Sequence, residues 1–255
     1  FFRGLFGLIP IFFIIPRERY KNLFQTKKLK MHLARAFIGT FGMLWIFLAV
    51  KYLPIAEAIT ITFAAPVFAT IFSMIILKEV IKLFRWVAII IGLAGVVIIL
   101  KPGTELFTVY SLFPLMFCLF FGIIAILIKK LSKTEPDYLI ATFFTLVIIF
   151  CGSISLFFEF KMPTARDFVP LFLIGIAGSA GNIFLTMSLR KGSISAVTPI
   201  KYLSLIIATF AGVLIFDEIP YFTTYLGAAL IVASSFIIFK REEIKNKKTI
   251  IARQV

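Results

Sequence analysis

An all-α, polytopic membrane fold is what this chain predicts, and three observations predict it. Long apolar runs recur throughout its 255 residues, basic residues collect in the short segments between them, and two stretches match at a fixed offset of 139 residues. Hydrophobic residues make up 61% of the chain and charged ones only 15%, against about 25% charged in a soluble domain. A soluble core has no room for so much apolar surface. The runs measure about 17–23 residues, helix length for a hydrocarbon layer about 30 Å thick. In such helices every backbone polar group is satisfied internally. The alternating pattern of an outer-membrane barrel is absent.

Nine spanning helices are predicted, at 1–15, 33–53, 56–77, 84–100, 109–129, 138–159, 168–189, 194–216 and 221–239. The first is slightly short and carries Arg3 near one end. A basic segment separates it from the second, which stops at Leu53-Pro54. The third ends at Lys78 and the fourth at Lys101-Pro102-Gly103, a turn signal. Lys129 and Lys130 close the fifth, and Lys161 follows the sixth. Lys191-Gly192 closes the seventh. The eighth runs up to Asp217-Glu218, and the ninth passes into a basic tail.

Loop charge sets the orientation. Segments after the odd-numbered helices, with the tail, hold 20 Lys and Arg; the opposite side holds four, Lys51, Lys101, Lys161 and Arg166. The positive-inside rule assigns the richer side to the cytoplasm, so the C-terminus is expected inside and residue 1 outside. Ala49–Lys101 and Ser188–Lys240 agree at ten of 53 positions. The informative match is polar: Glu79 and Glu218 each stand between two long apolar runs. By the loop charges, Glu79 lies in an inner turn and Glu218 in an outer one. The repeat is therefore inverted, a signature of secondary transporters. One further helix before residue 1 would complete ten, as two five-helix halves. The expected division is 1–103, a first repeat lacking its first helix, 104–242, the second repeat, and 243–255, a basic tail.

The formal net charge of +15 would suggest nucleic acid in a soluble protein. Here the basic residues fill topology-setting loops, and no nucleic-acid partner is expected. Cys118 and Cys151 lie within apolar runs and lack metal-ligand spacing, so neither a metal site nor a disulfide is expected. His32 falls in a basic segment and is read as interfacial. With no nucleotide-binding loop and no catalytic triad, no cofactor and no enzyme is expected. A membrane enzyme would need paired carboxylates or a histidine site at the interface, and a channel would need repeated filter residues. Neither pattern is present.

A charge inside a spanning helix costs at least about 2.5 kcal/mol at the centre, so each needs a reason. Lys201 lies roughly 10 Å into its run at 1.5 Å per residue. In Thr198-Pro199-Ile200-Lys201-Tyr202 a cation and a phenol stand beside a proline that frees a carbonyl. That grouping suits contact with an anionic or zwitterionic solute; snorkelling to the membrane edge is the plainer alternative. Glu57 is either a helix cap or a carboxylate for a proton or a cationic group. Arg3 is placed to line an outer path or to snorkel, and Arg35 is read as a topology anchor. Trp45 is lipid-facing filler or a cavity wall. Asn182 glues two helices or lines a cavity. Gly92-Leu93-Ala94-Gly95 reads as helix packing. Gly175, Gly178 and Gly181 fit either a packing face or a bend. Glu79 and Glu218 are expected to cap the helices that follow.

At these residues the chain resembles a known family. The stretch from Tyr52 to Gly103, "YLPIAEAITITFAAPVFATIFSMIILKEV…", looks like the first-half hallmark of the EamA family of the drug/metabolite transporter superfamily. "AVTPIKYLSLIIATFAGVLIFDEIP…", from Ala196, resembles the second-half hallmark. Pro66 stands thirteen residues before Glu79, as the pattern has it. The second half has Leu205 there and carries its proline at Pro199, with Lys201 and Tyr202 following. That variant resembles a bacterial subgroup that includes S-adenosylmethionine uptake carriers. The resemblance implies ten helices around a central cavity and alternating access without ATP. It carries over Arg3, Glu57, Pro66, Glu79, Lys201, Tyr202 and Glu218. The expected cargo is a small polar organic metabolite crossing a bacterial inner membrane. An exporter of amino acids or toxic metabolites is the alternative to an importer. A monomer suffices for this scheme, and a homodimer is compatible with it.

Overall fold

A computed structural model describes residues 1–22, 24–62, 64–77, 83–100, 108–158, 162–191, 211–215, 217 and 221–251. Among these there is no strand. The helices are α1 (Phe2–Ile14), α2 (Leu29–Tyr52), α3 (Ile55–Thr62), α4 (Ala65–Leu77), α5 (Leu83–Leu100), α6 (Leu112–Leu131), α7 (Asp137–Ser155), α8 (Ala165–Lys191) and α9 (Phe222–Ile251). Five described spans are long and apolar enough to cross a membrane: Leu29–Tyr52, Glu57–Ile76, Val109–Leu131, Asp137–Ser155 and Ala165–Arg190. Phe2–Ile14, Trp86–Ile99 and Phe222–Ser234 are shorter apolar helices. Eight of the nine expected runs thus appear as apolar helix. The remaining one, 194–216, lies outside the described residues except for 211–215, which are helical.

Local chemistry explains where the ends differ from the sequence reading. α8 begins at Ala165 rather than 168 because Asp167 accepts from the backbone N–H and the hydroxyl of Thr164, at 2.8 and 2.7 Å. This is a capping arrangement that closes the first turn. α2 begins at Leu29 rather than 33, just after Lys28 N–H donates to Thr26 Oγ1 at 3.0 Å. His32, expected in a loop, is therefore helical. The expected single run 56–77 is split into α3 and α4. Pro66 in the first turn of α4 has no N–H to give the carbonyl four residues back. The chain breaks there, bridged by Ala64 N–H donating to Ile61 O at 3.0 Å. Cys118 Sγ also approaches that carbonyl, at 3.4 Å.

The chain divides into two compact units, Phe1–Phe41 with Leu127–Lys191, and Gly42–Ile126 with Gly192–Val255. Both units draw residues from either side of position 103.

In the first unit, α1 packs against α8 and α7, and α7 against α8. Small residues set the spacing: a methyl on Gly175 of α8 would lie 2.5 Å from Phe6 Cβ of α1. Without a hydrophobic drive between helices in lipid, such close backbone approach supplies the packing attraction. Ile11, Ile15, Ala141 and Ile183 form one buried apolar cluster. Phe12, Phe13, Phe157 and Phe158 stay largely exposed, as side chains whose solvent is lipid.

In the second unit, α5 lies along α9. A methyl on Gly95 would sit 2.7 Å from the Gly227 carbonyl oxygen, and Ser234 Oγ donates to Ala88 O at 2.5 Å. The Gly92–Gly95 patch is thus a packing surface, as expected. Ile61, Ala64, Ala65, Val96, Ile99, Cys118 and Ile231 form the core of this unit. Neither Cys118 nor Cys151 is in a disulfide.

Candidate functional site

The first unit gathers polar side chains in its interior, and the helix periodicity places them. On α2, His32, Arg35, Ala36 and Gly39 recur on one face and are all buried, while Leu33 and Phe37 between them are exposed. On α8, Gly175, Ser179, Asn182 and Thr186 form a matching stripe of small and polar residues at three- and four-residue steps.

Arg35 and Asn182 meet across these two helices. Arg35 Nη2 donates to Asn182 Oδ1 at 2.6 Å. The Arg35 guanidinium also lies 4.0 Å over the ring of Phe144 on α7, a cation–π contact strengthened by desolvation. Arg35 is only 2% exposed. Its Nε and Nη1, and Asn182 Nδ2, are buried with no hydrogen-bond partner, as is Ser179 Oγ. Arg35, read from the sequence as a topology anchor, is thus buried and engaged inside the first unit.

Beside this pair is a small cleft, with room for about one water-sized group (about 10 Å³), lined by Arg3, Gly4, Phe144, Thr145, Ile148, Gly178 and Ser179. Gly178 makes room for Arg3: a methyl there would lie 2.6 Å from Arg3 Nε and 2.9 Å from Nη2. Phe144 is common to both features, under Arg35 and in the cleft wall. Ser179 stands one turn from Asn182 on α8.

One turn before Arg35, His32 is fully buried, stacked on Phe143 at 4.7 Å. Its Nε2 is 3.6 Å from Glu135 Oε2. His32, read from the sequence as interfacial, is thus buried within the first unit. Nearby, Arg190 holds the start of α7 by pairing with Asp137 Oδ1 at 2.7 Å and donating to the Glu135 carbonyl.

Of the residues singled out from the sequence, Arg3 and Asn182 are brought together with Arg35 in this unit. Glu57 and Trp45 belong to the second unit. Glu57 sits in the first turn of α3, where its charge complements the helix dipole. Trp45 is half-buried and tilted against Phe113 at 5.3 Å. Pro66 occupies the first turn of α4. Lys201, Tyr202, Pro199, Glu79 and Glu218 lie outside the described residues. Arg35, Ser179, Phe144 and Gly178 were not singled out as site residues. The signal for Arg35 was available: a polar stripe on α2 whose lipid side is the more apolar one. No group of three metal-ligating side chains occurs among the described residues.

Membrane-length helices with a polar interior define a polytopic membrane protein of transporter type. The model of the EamA-like transporter family matches residues 1–101 and 109–240, and the chain belongs to this family. It is 30% identical over 252 residues to a protein named S-adenosylmethionine uptake transporter from Rickettsia bellii, covering 97% of this chain and 85% of the relative. It is 29% identical over 246 residues to a riboflavin transporter from Vibrio cholerae, covering 94% and 82%. A solved crystal structure shares the fold with a TM-score of 0.65 at 17% identity, over 92% of this chain and 83% of that one. The chain is a multi-pass membrane protein of a transporter family and not an enzyme.

Proposed function

We propose that this chain is a secondary or facilitative carrier that moves a small polar organic metabolite across a bacterial inner membrane by alternating access. The observation that carries this reading is the buried Arg35–Asn182 contact between helices of membrane-spanning length. Arg35 stands six residues into α2, and a buried cation within a spanning helix, which costs up to about 2.5–3.5 kcal/mol at the centre, needs a reason. Intramembrane ionisable residues of this kind mark solute pathways. The relatives named for S-adenosylmethionine uptake and riboflavin transport support a metabolite as cargo. In this reading the two sequence repeats, 1–103 and 104–242, rock about the path, and the C-terminus is cytoplasmic. Lys201 and Tyr202 contact the solute, Glu57 and Arg3 line the route, and Pro66 and Pro199 are points of bending. Monomeric carriers suffice for this cycle.

The test is counterflow uptake by the purified protein in vesicles, with S-adenosylmethionine, riboflavin, amino acids and nucleosides loaded in turn on either side. One of these is expected to exchange, and the Lys201→Ala variant to lose exchange while inserting normally. Undiminished exchange by that variant removes Lys201 from the solute path. Exchange of none of these solutes by the wild-type protein removes the metabolite carrier.

A further inference from the structure

We infer that the Arg35–Asn182–Ser179 face of the first unit is a carboxylate-recognition site, so that the cargo presents a carboxylate to it. This rests on the carrier reading above and deepens it. Every open polar atom on that face is a donor or can act as one. Arg35 Nε and Nη1, Asn182 Nδ2 and Ser179 Oγ are buried with no hydrogen-bond partner. Asn182 has already committed its one acceptor, Oδ1, to Arg35. What such a face lacks is an acceptor, and what a guanidinium lacks is a counter-charge. Among the described residues no carboxylate pairs with Arg35, and three acids of this unit are engaged elsewhere. Glu135 stands against His32, Asp137 pairs with Arg190, and Asp167 accepts from Thr164.

The guest that satisfies these donors is planar, anionic and acceptor-only. A carboxylate meets each condition and matches the forked geometry of a guanidinium. Arg3, lining the adjoining cleft with Ser179, adds a second positive charge to the same region. The adjoining cleft has room for about one water-sized group, about 10 Å³, so only a functional group and not an entire metabolite reaches in beside Ser179. Within the proposed panel this favours α-amino-acid solutes such as S-adenosylmethionine over riboflavin, which has no carboxylate.

The test uses the full chain in lipid nanodiscs. Thermal unfolding is followed with acetate, acetamide, phosphate and chloride at matched ionic strength. Saturating acetate is expected to raise Tm by about 3 °C, with acetamide, phosphate and chloride leaving it in place. Arg35→Lys, which keeps charge but loses the fork, should weaken the acetate midpoint about ten- to a hundredfold. Asn182→Asp supplies a carboxylate in place; it should raise Tm without ligand and abolish the acetate response, an outcome that simple loss of packing does not produce. A wild-type Tm indifferent to acetate overturns the assignment. So does a larger response to phosphate, or an acetate response unchanged in both variants. Counterflow separates the two readings: exchange without an acetate effect keeps the carrier and removes this site, and an Arg35-dependent acetate effect without exchange does the reverse.

Discussion

Gly175, Gly178 and Gly181 recur every three residues along α8, yet the structure gives them three different surroundings, and alanine at each should behave differently. A methyl on Gly175 would lie 2.5 Å from Phe6 Cβ and 3.3 Å from both the Arg3 carbonyl and the Gly7 nitrogen. Backbone atoms and a Cβ cannot swing away, so α1 must move off α8. Overpacking of this kind costs about 1–3 kcal/mol. At about 2–4 °C per kcal/mol, Gly175→Ala should lower Tm by roughly 2–12 °C. At Gly178 the neighbours are Arg3 Nε, Nη2 and Cζ, at 2.6, 2.9 and 3.2 Å. These form the tip of a flexible side chain, which can yield. Gly178→Ala should leave Tm within a few degrees of wild type but push Arg3 out of the cleft, cutting counterflow out of proportion to stability. Gly181 has nothing within 4 Å of an added methyl. Removing a helical glycine gains about 0.5–1 kcal/mol, so Gly181→Ala should raise Tm slightly and leave transport intact. Scanning fluorimetry and counterflow on the same preparations decide the matter. If Gly181→Ala were as damaging as Gly175→Ala, the glycines would be needed for bending rather than for space, and the packing account would be wrong.

Two further outcomes follow from the same contacts. Pro66→Ala restores an N–H that can reach the Thr62 carbonyl and let α3 and α4 join, a gain of up to about 3 kcal/mol; the variant should unfold at higher temperature and transport more slowly, and unchanged transport would mean the break has no part in the cycle. His32 and Glu135, 3.6 Å apart and both buried, should show a coupling of about 0.5–3 kcal/mol in a double-mutant cycle with glutamine at each position; strictly additive effects on unfolding would show that the pair carries no energy of its own.

The membrane fold was legible because burial in lipid demands long apolar runs, and those appear wherever the structure describes them. The interior of the first unit was only half legible. Asn182 and Arg3 stood out as polar residues in apolar context, but Arg35 did not, because it lies near a basic segment whose arginines and lysines set topology. What separated it was phase. His32, Arg35, Ala36 and Gly39 share one face of α2, and in a bilayer the face with the smaller and more polar residues is the one turned inward. The split of the run 56–77 was likewise written in Pro66, which reads in the sequence as a family feature and not as a helix boundary. Gly178 was legible only as a small residue; that its space belongs to an arginine depends on α1 crossing α8 at that point, which a pattern along one helix does not contain.

The energetics of Arg35 say why an acceptor is still wanted there. Insertion of an arginine costs at most about 2.5–3.5 kcal/mol, the value at a spanning-helix centre, and Arg35 stands only six residues into α2. Its hydrogen bond to Asn182 returns about 1.5–3 kcal/mol, and the desolvated contact with Phe144 about 2 kcal/mol. The two contacts offset the cost to within a few kcal/mol, so the arginine is tolerated without a carboxylate of the chain's own. A built-in Asp or Glu would stabilise it further but would also occupy the donors permanently. Leaving Nε and Nη1 open costs about 1–3 kcal/mol for each buried donor, a cost that a guest's acceptors recover. A carboxylate arriving from outside then gains charge-assisted bonds that nothing in this face must first release. A solute bound this way can also leave, which a carrier requires and a purely structural ion pair does not.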